Sequence, residues 1–562
     1  MTLTSEGIAT LIYSLVWLLA GVGVFMVGMS FMSDALESSA GGGMKKLLGK
    51  ISNNRILGVG IGAGVTAIVQ SSSATSVMVI GLVNAGAVSL VQATPIIMGA
   101  NIGTTVTGVL VALKNDYFNT AMYLLLFVGV LMSFSRKEKI KLLGSLFCGL
   151  GLIFVGLNIM SSDQAFGNPL VEELFVRIFG AVRSPLILIF IGATFTALIQ
   201  SSSAATGVVI TMVGTGVLSL ESALFIVLGA NIGTCVTALL ASIGANSNSK
   251  RIAFIHFAFN ATGAAAFAAI IWTFSDIVIG ALVSAFPGED AMALQMRVSL
   301  FHVIFNVSTT LLLLPFVKQL VKISCHIIKE KTSGEQGISL RYVDDRLLHT
   351  PPIALMQVKK EINYMMSLVE ENTALSFVAL EMGSLEYSER ISRNEEIVDF
   401  TNVALTRFLI ELSANVEPSD ERVIGAYFHV LNDLERIGDH AENFHGIGVQ
   451  IKQRKLTLSD SALSELLGMR DRVMEMFSVA QSAFRTCDST ALPRIDQLEE
   501  QVDTAKRTLT AKHFARLTDG SCDISLSPYY SSVVAGLERV ADHLVNVGYS
   551  IVDPTGSQRR LQ

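Results

Sequence analysis

Hydrophobic and polar positions divide this chain into two unlike parts. From Ile56 to Leu113 no Asp, Glu, Lys or Arg occurs, and from Ser184 to Ser249 only Glu221 does. Apolar runs near residues 8–33, 92–113, 118–135, 142–160, 222–244, 252–274 and 298–320 reach or approach the roughly 20 residues that a membrane-crossing helix needs. From about Ser333 charges are frequent, and apolar residues recur at three- and four-residue spacing, the period of helices packed in water. The pattern predicts an all-α protein. A polytopic membrane domain fills 1–330, with repeats at about 9–135 and 139–274 and a last span at 298–320. A linker occupies 331–350, and a soluble helical domain 351–553. The run from Ile8 to Met32 has no basic residue before it and is too long for the core of a signal peptide, so it is expected to stay as a helix.

The membrane part repeats itself. Gly62 to Thr107 aligns without a gap on Gly192 to Thr237, with about half the positions identical. Each copy carries QSSS and, further on, GANIGT. Gly23 to Ser33 also resembles Gly151 to Ser161. Around each QSSS about 12 apolar residues lie on either side, which leaves a full crossing open as the alternative, though it would set the cluster at 136–141 opposite the other basic loops. That length predicts re-entrant hairpins with the tetrads at their tips, tolerated where they line a protein cavity. Seven crossings then put Lys45, Lys46, Lys50, Arg55, Arg136, Lys137, Lys139, Lys141, Lys250, Arg251, Lys318 and Lys322 on one side. Only Lys114, Arg177, Arg183 and Arg297 lie on the other. The positive-inside rule makes the richer side cytoplasmic, with the N-terminus outside and the tail inside. Three crossings per copy make the repeats inverted.

The chemistry sits in the repeated motifs. A break at QSSS exposes helix-terminal amides, an anion site, beside carbonyls suited to a cation. A second break is expected at GANIGT, against the alternative that its small residues pack helices closely. The candidate substrate and ion ligands are Gln70, Ser71, Ser72, Ser73, Asn101 and Thr104, with Gln200, Ser201, Ser202, Ser203, Asn231 and Thr234 in the second copy. Lys and Arg are nearly absent here, so an anion rests on dipoles, hydroxyls and a co-bound cation. Two buried-looking echoes, His256 to Asn260 and His302 to Asn306, fall on the last two spans; helix packing is the favoured role, proton sensitivity the other.

Duplicated QSSS with a downstream NIGT resembles the type II sodium/phosphate cotransporter family, over about Gly21 to Leu320. The resemblance implies inorganic phosphate as substrate, Na+ as co-substrate and the two tetrads as the heart of the site, in a plasma membrane. The copies differ at Ala74-Thr75-Ser76 against Ala204-Ala205-Thr206, and Thr105 is matched by Cys235, which leaves the sodium stoichiometry open.

The tail repeats too. Leu434 to Asn443 resembles Leu537 to Asn546, and Glu395 to Asp399 resembles Glu499 to Asp503. Carboxylates four residues apart share a helix face. Glu395, Asp399, Glu435 and Asp439, and Glu499, Asp503, Glu538 and Asp542, are candidate ligands for divalent or iron ions, against a solvated acidic face. The pattern resembles PhoU, a family of tandem three-helix bundles linked to phosphate signalling, over roughly 350–550. Charged residues are only 16% of the chain and the net charge is -6, which argues against a nucleic-acid partner. The five cysteines show no paired spacing and are expected as free thiols. No charged catalytic constellation lies in the membrane part, so no enzyme is expected. The expected partners are phosphate, Na+, the lipid bilayer, and a second copy of the chain or a phosphate-signalling protein. The function expected is sodium-coupled phosphate transport with a regulatory tail; the alternative is a phosphate-sensing receptor or channel.

Overall fold

The computed structural model describes residues 5–48, 53–84, 88–182, 184–243, 245–329, 338–349, 351–414, 416 and 418–552. Lys50, Arg183, residues 331–337 and 350 of the expected linker, and residue 553 lie outside them. The chain forms two units, Met1–Thr332 and Ser333–Gln562, and every regular element among the described residues is a helix.

In the first unit, α1 (Ser5–Leu48) precedes the short α2 (Arg55–Val69) and α3 (Ser72–Asn84), which meet at the first tetrad. Then come α4 (Leu90–Ala112), α5 (Asp116–Ser133), α6 (Glu138–Ser161) and α7 (Pro169–Ala181). The short α8 (Pro185–Ile199) and α9 (Ser202–Gly214) meet at the second tetrad. They are followed by α10 (Leu220–Gly233), α11 (Cys235–Ala241), α12 (Ser247–Ala285), α13 (Ala291–Leu313) and α14 (Val317–Ile327). Among the described residues seven segments are long and apolar enough to cross a membrane, one for each apolar run. The four helices flanking the tetrads have only 13 or 15 residues and are too short to cross alone.

The expected break at GANIGT is corrected by α4, which runs through Gly99, Asn101 and Gly103 without interruption. In the second copy the interruption is Thr234 alone, whose φ of -59° and ψ of -28° remain helical. The glycines serve approach instead. A Cβ on Gly99 would stand 2.0 Å from the Val59 carbonyl oxygen, and one on Gly229 2.0 Å from that of Ile189. From the facing helices, a Cβ on Gly62 or Gly192 would meet the carbonyls of Ile96 or Ile226 at 1.9 and 2.1 Å. Thus α2 lies against α4, and α8 against α10, backbone to backbone.

The first helices of the two copies also touch. A Cβ on Gly28 of α1 would lie 2.8 Å from the Gly149 oxygen of α6, and one on Gly156 2.7 Å from the Gly21 oxygen. Residue numbers rise in opposite directions along this contact, so α1 and α6 run antiparallel.

The second unit is two sets of three helices: α15 (Pro351–Met382), α16 (Ser388–Ser413) and α17 (Pro418–Gln453), then α18 (Asp460–Thr486), α19 (Leu492–Thr518) and α20 (Ser527–Tyr549). Apolar stripes such as Val398, Leu405, Leu409 and Leu412 on α16 bury inward. Residues 338–349 pack on α15, where the buried Glu361 carboxylate accepts from the amides of Arg341 (3.0 Å) and Tyr342 (2.5 Å).

Candidate functional site

Both tetrads make the same turn. Gln70 follows α2 with φ 57° and Gln200 follows α8 with φ 59°, both in the left-handed region that side chains avoid. The chain reverses there, and the next helix starts two residues on. The Ser71 hydroxyl accepts from the Ala74 amide at 3.1 Å, and the Ser201 hydroxyl from the Ala204 amide at 3.2 Å. Each serine therefore caps its helix through a lone pair and keeps its proton for donation. The first amides of α3 and α9 have no partner inside their helices, which suits an anion.

The two copies then cross. α4 packs on α9, and α11 on α3. In the first copy Thr107 donates to the Gln70 amide oxygen at 2.6 Å. From the second copy Thr237, matched to Thr107 in the repeat, donates to the Ser73 hydroxyl at 3.1 Å. Ser72, Ser202 and Ser203 are buried, whereas Gln200 is exposed. Other predicted ligands turn elsewhere. The Thr104 and Thr234 hydroxyls donate to the carbonyls of Ala100 and Ala230. Asn101 donates to the Asn260 side chain at 2.8 Å, and Asn231 to the Val227 carbonyl. Thr107 and Thr237 escaped the sequence reading. Their signal was their identity at the last matched position of both copies.

In the tail, the first set of carboxylates converges. Burial, and next the charges of Asp399, Glu442 and Asp439, push Glu395 up to about 7. Glu435 is raised by burial and by Asp439 and Asp399. In the second set, burial and then Glu538 and Asp503 raise Asp542, while Glu538 also pairs with Lys506 at 2.8 Å. Glu499 sits half-buried on α19. Among the described residues no group of three or more His, Cys, Asp or Glu side chains is arranged to hold a metal ion.

The sequence profile described as Na+/Pi-cotransporter matches residues 24–162 and 168–286, both tetrads and both NIGT motifs included. The chain belongs to the Na+/Pi-cotransporter family. This cotransporter-family chain carries PhoU domains at 362–445 and 466–551, one per three-helix set. It is similar to the "Putative inorganic phosphate export protein YjbB" of Salmonella typhimurium, at 24% identity over 96% of this chain and 98% of that protein. The "Uncharacterized protein YqeW" of Bacillus subtilis is 31% identical over 52% of this chain and 91% of its own. The mouse "Sodium-dependent phosphate transport protein 2A" is 24% identical over 44% and 59%. The crystal structure of PhoU from Pseudomonas aeruginosa matches 35% of this chain and 95% of that one, at 22% identity and a TM-score of 0.34. This cotransporter-family protein is thus a membrane protein of a phosphate-transporting family.

Proposed function

We propose that this protein moves inorganic phosphate across the plasma membrane together with Na+, at a site formed by the two tetrads. The observation that carries the reading is the pair of left-handed glutamines, Gln70 and Gln200, each followed by a serine-capped helix start. Helix-terminal amides and serine protons receive the phosphate oxygens; carbonyls at the ends of α2 and α8, with the glutamine amides, receive the sodium. Since no Lys or Arg lies between Ile56 and Leu113 or between Ser184 and Ser249, the cation offsets the phosphate charge, which is a physical reason for coupling. The antiparallel contact of α1 with α6 supports an inverted relation of the copies, the architecture of alternating access. The positive-inside count supports a cytoplasmic tail, and its PhoU kinship supports a regulatory role.

Radiolabelled phosphate uptake into proteoliposomes tests this. Uptake that rises with an inward sodium gradient and collapses when choline replaces sodium is the expected result; sodium-independent flux removes the coupling, and binding without flux leaves a receptor. The Salmonella relative, which matches nearly the whole chain, is named for phosphate export, so a second reading is outward movement. Efflux from loaded vesicles that ignores the sodium gradient favours it. A chain ending at residue 330 should still insert and carry phosphate with altered regulation; insertion without flux places the tail in the transport machinery.

A further inference from the structure

The helix α13 carries a buried polar stripe that the tetrad site does not use. Gln295, Ser299, His302, Asn306 and Thr309 follow one another at steps of four and three residues, so they share one face. All are 3% exposed or less. Among the described residues the Gln295 amide oxygen, the Ser299 hydroxyl, both His302 ring nitrogens, the Asn306 amide oxygen and the Thr309 hydroxyl have no hydrogen-bond partner. In a membrane interior such groups are retained only where something satisfies them.

The elements opposite offer glycines and, beside Gly108, the apolar tip of Ile210 rather than polar side chains. A Cβ on Gly108 of α4 would lie 3.5 Å from the His302 Nδ1 and 3.7 Å from the Ser299 Oγ. Two unpartnered polar atoms thus face the same notch, and Gly108 directly follows Thr107, the residue that holds Gln70. Further along the stripe, Gly214 of α9 abuts Gln295 and Gly263 of α12 abuts Thr309.

We propose that the notch beside Gly108 binds a monovalent cation on Ser299 and His302, with the unpartnered Asn306 amide oxygen, one turn further along the same face, completing the set, apart from the two tetrad tips. The donor set is a hydroxyl oxygen, an imidazole lone pair and an amide oxygen, all neutral. Sodium takes the oxygens directly, and a proton takes the imidazole. Of the helices packed on α13, α4 and α9 carry no titratable side chain. α10 carries Glu221, which accepts from Ser275, and α12 carries Lys250, Arg251, His256 and Asp276. A small, singly charged ion suits a notch opposed by glycine and an uncharged helix. The site deepens the sodium-coupled reading and rests on it for its role in transport, but not for its occupancy.

The test uses purified full-length protein. Radiolabelled sodium binding without phosphate is compared between wild type, Ser299→Ala and His302→Phe, with uptake in proteoliposomes followed between about pH 5 and 8. If sodium is the occupant, Ser299→Ala raises the half-saturating sodium concentration of one binding step about tenfold, as expected for loss of one bond to a charged group. If a proton is the occupant, sodium binding is unchanged and His302→Phe flattens a pH-dependent step that wild type shows. Wild-type sodium binding and a wild-type pH profile in both folded variants would overturn the proposal. Should those variants fail to fold, Asn306→Asp, which adds a charge without changing size, is expected to tighten cation binding; unchanged binding overturns the proposal equally. A wild-type protein that binds sodium but moves no phosphate removes the transport reading, and the binding arm then judges this site alone.

Discussion

Thr237 of the second copy donates its hydroxyl to Ser73 of the first at 3.1 Å. The bond joins α11 to the second residue of α3, just beyond where the tetrad chain reverses, so it ties the geometry of one half to the position of the other. Removing the hydroxyl with Thr237→Val keeps the shape and loses a neutral hydrogen bond worth about 0.5–1.5 kcal/mol. The apparent KM for phosphate should rise several-fold. Thr215→Val serves as control, since Thr215 bonds only the carbonyls of its own helix; equal effects in the two variants would remove any special role for the joint.

A methyl group at Gly99 or Gly229 has no room, with a carbonyl oxygen 2.0 Å from the new carbon. Gly99→Ala and Gly229→Ala should each push a short helix off its partner and sharply reduce monodisperse protein in detergent. Gly60→Ala and Gly280→Ala, where nothing stands within 4 Å, should purify as wild type. Normal behaviour of Gly99→Ala would return these glycines to the helix-break reading.

Gln70 and Gln200 separate backbone strain from side-chain chemistry. A Cβ in the left-handed region costs about 1–2 kcal/mol, so replacement by glycine relieves strain while replacement by alanine does not. Either change removes the amide. Sodium affinity should therefore fall in the Gly and Ala variants alike, while thermal stability falls only for Gln70→Ala, which also loses the Thr107 bond. Sodium affinity that tracks stability instead would make the glutamines structural.

Glu395 gives the tail a pH dependence. Its carboxyl is held up to about 7 from an ordinary 4.5, by burial first and then by its acidic neighbours. The folded tail keeps a proton that the unfolded chain releases, so stability is lost as pH rises from about 4.5 towards 7. Glu395→Gln should remove that loss and stabilise the tail at pH 8 by up to roughly 3 kcal/mol. Hydrogen exchange of the α16 amides in the full chain, compared at pH 5 and pH 8, measures it. A wild-type difference between the two pH values in the variant would place the titration elsewhere. A metal bound at this cluster would reverse the sign, and elemental analysis of protein purified without chelator decides that separately.

Seven spans, two short-helix pairs and a duplicated helical tail were legible in the sequence because each depends on local composition. A run either suits lipid or water, and a four-residue polar tetrad interrupts an apolar stretch whatever surrounds it. Repetition then fixed which segments correspond. The sequence could not say what Gly99 and Gly103 do, because a glycine in an apolar helix serves a break or a close contact equally well; the choice was made by α2 lying opposite. It could not separate Asn101, which turns to Asn260 159 residues away, from a ligand. Nor could it show that Ser299 and His302 stand unpartnered before Gly108. Those facts depend on which helix faces which, a property of long-range packing that no window of the chain contains.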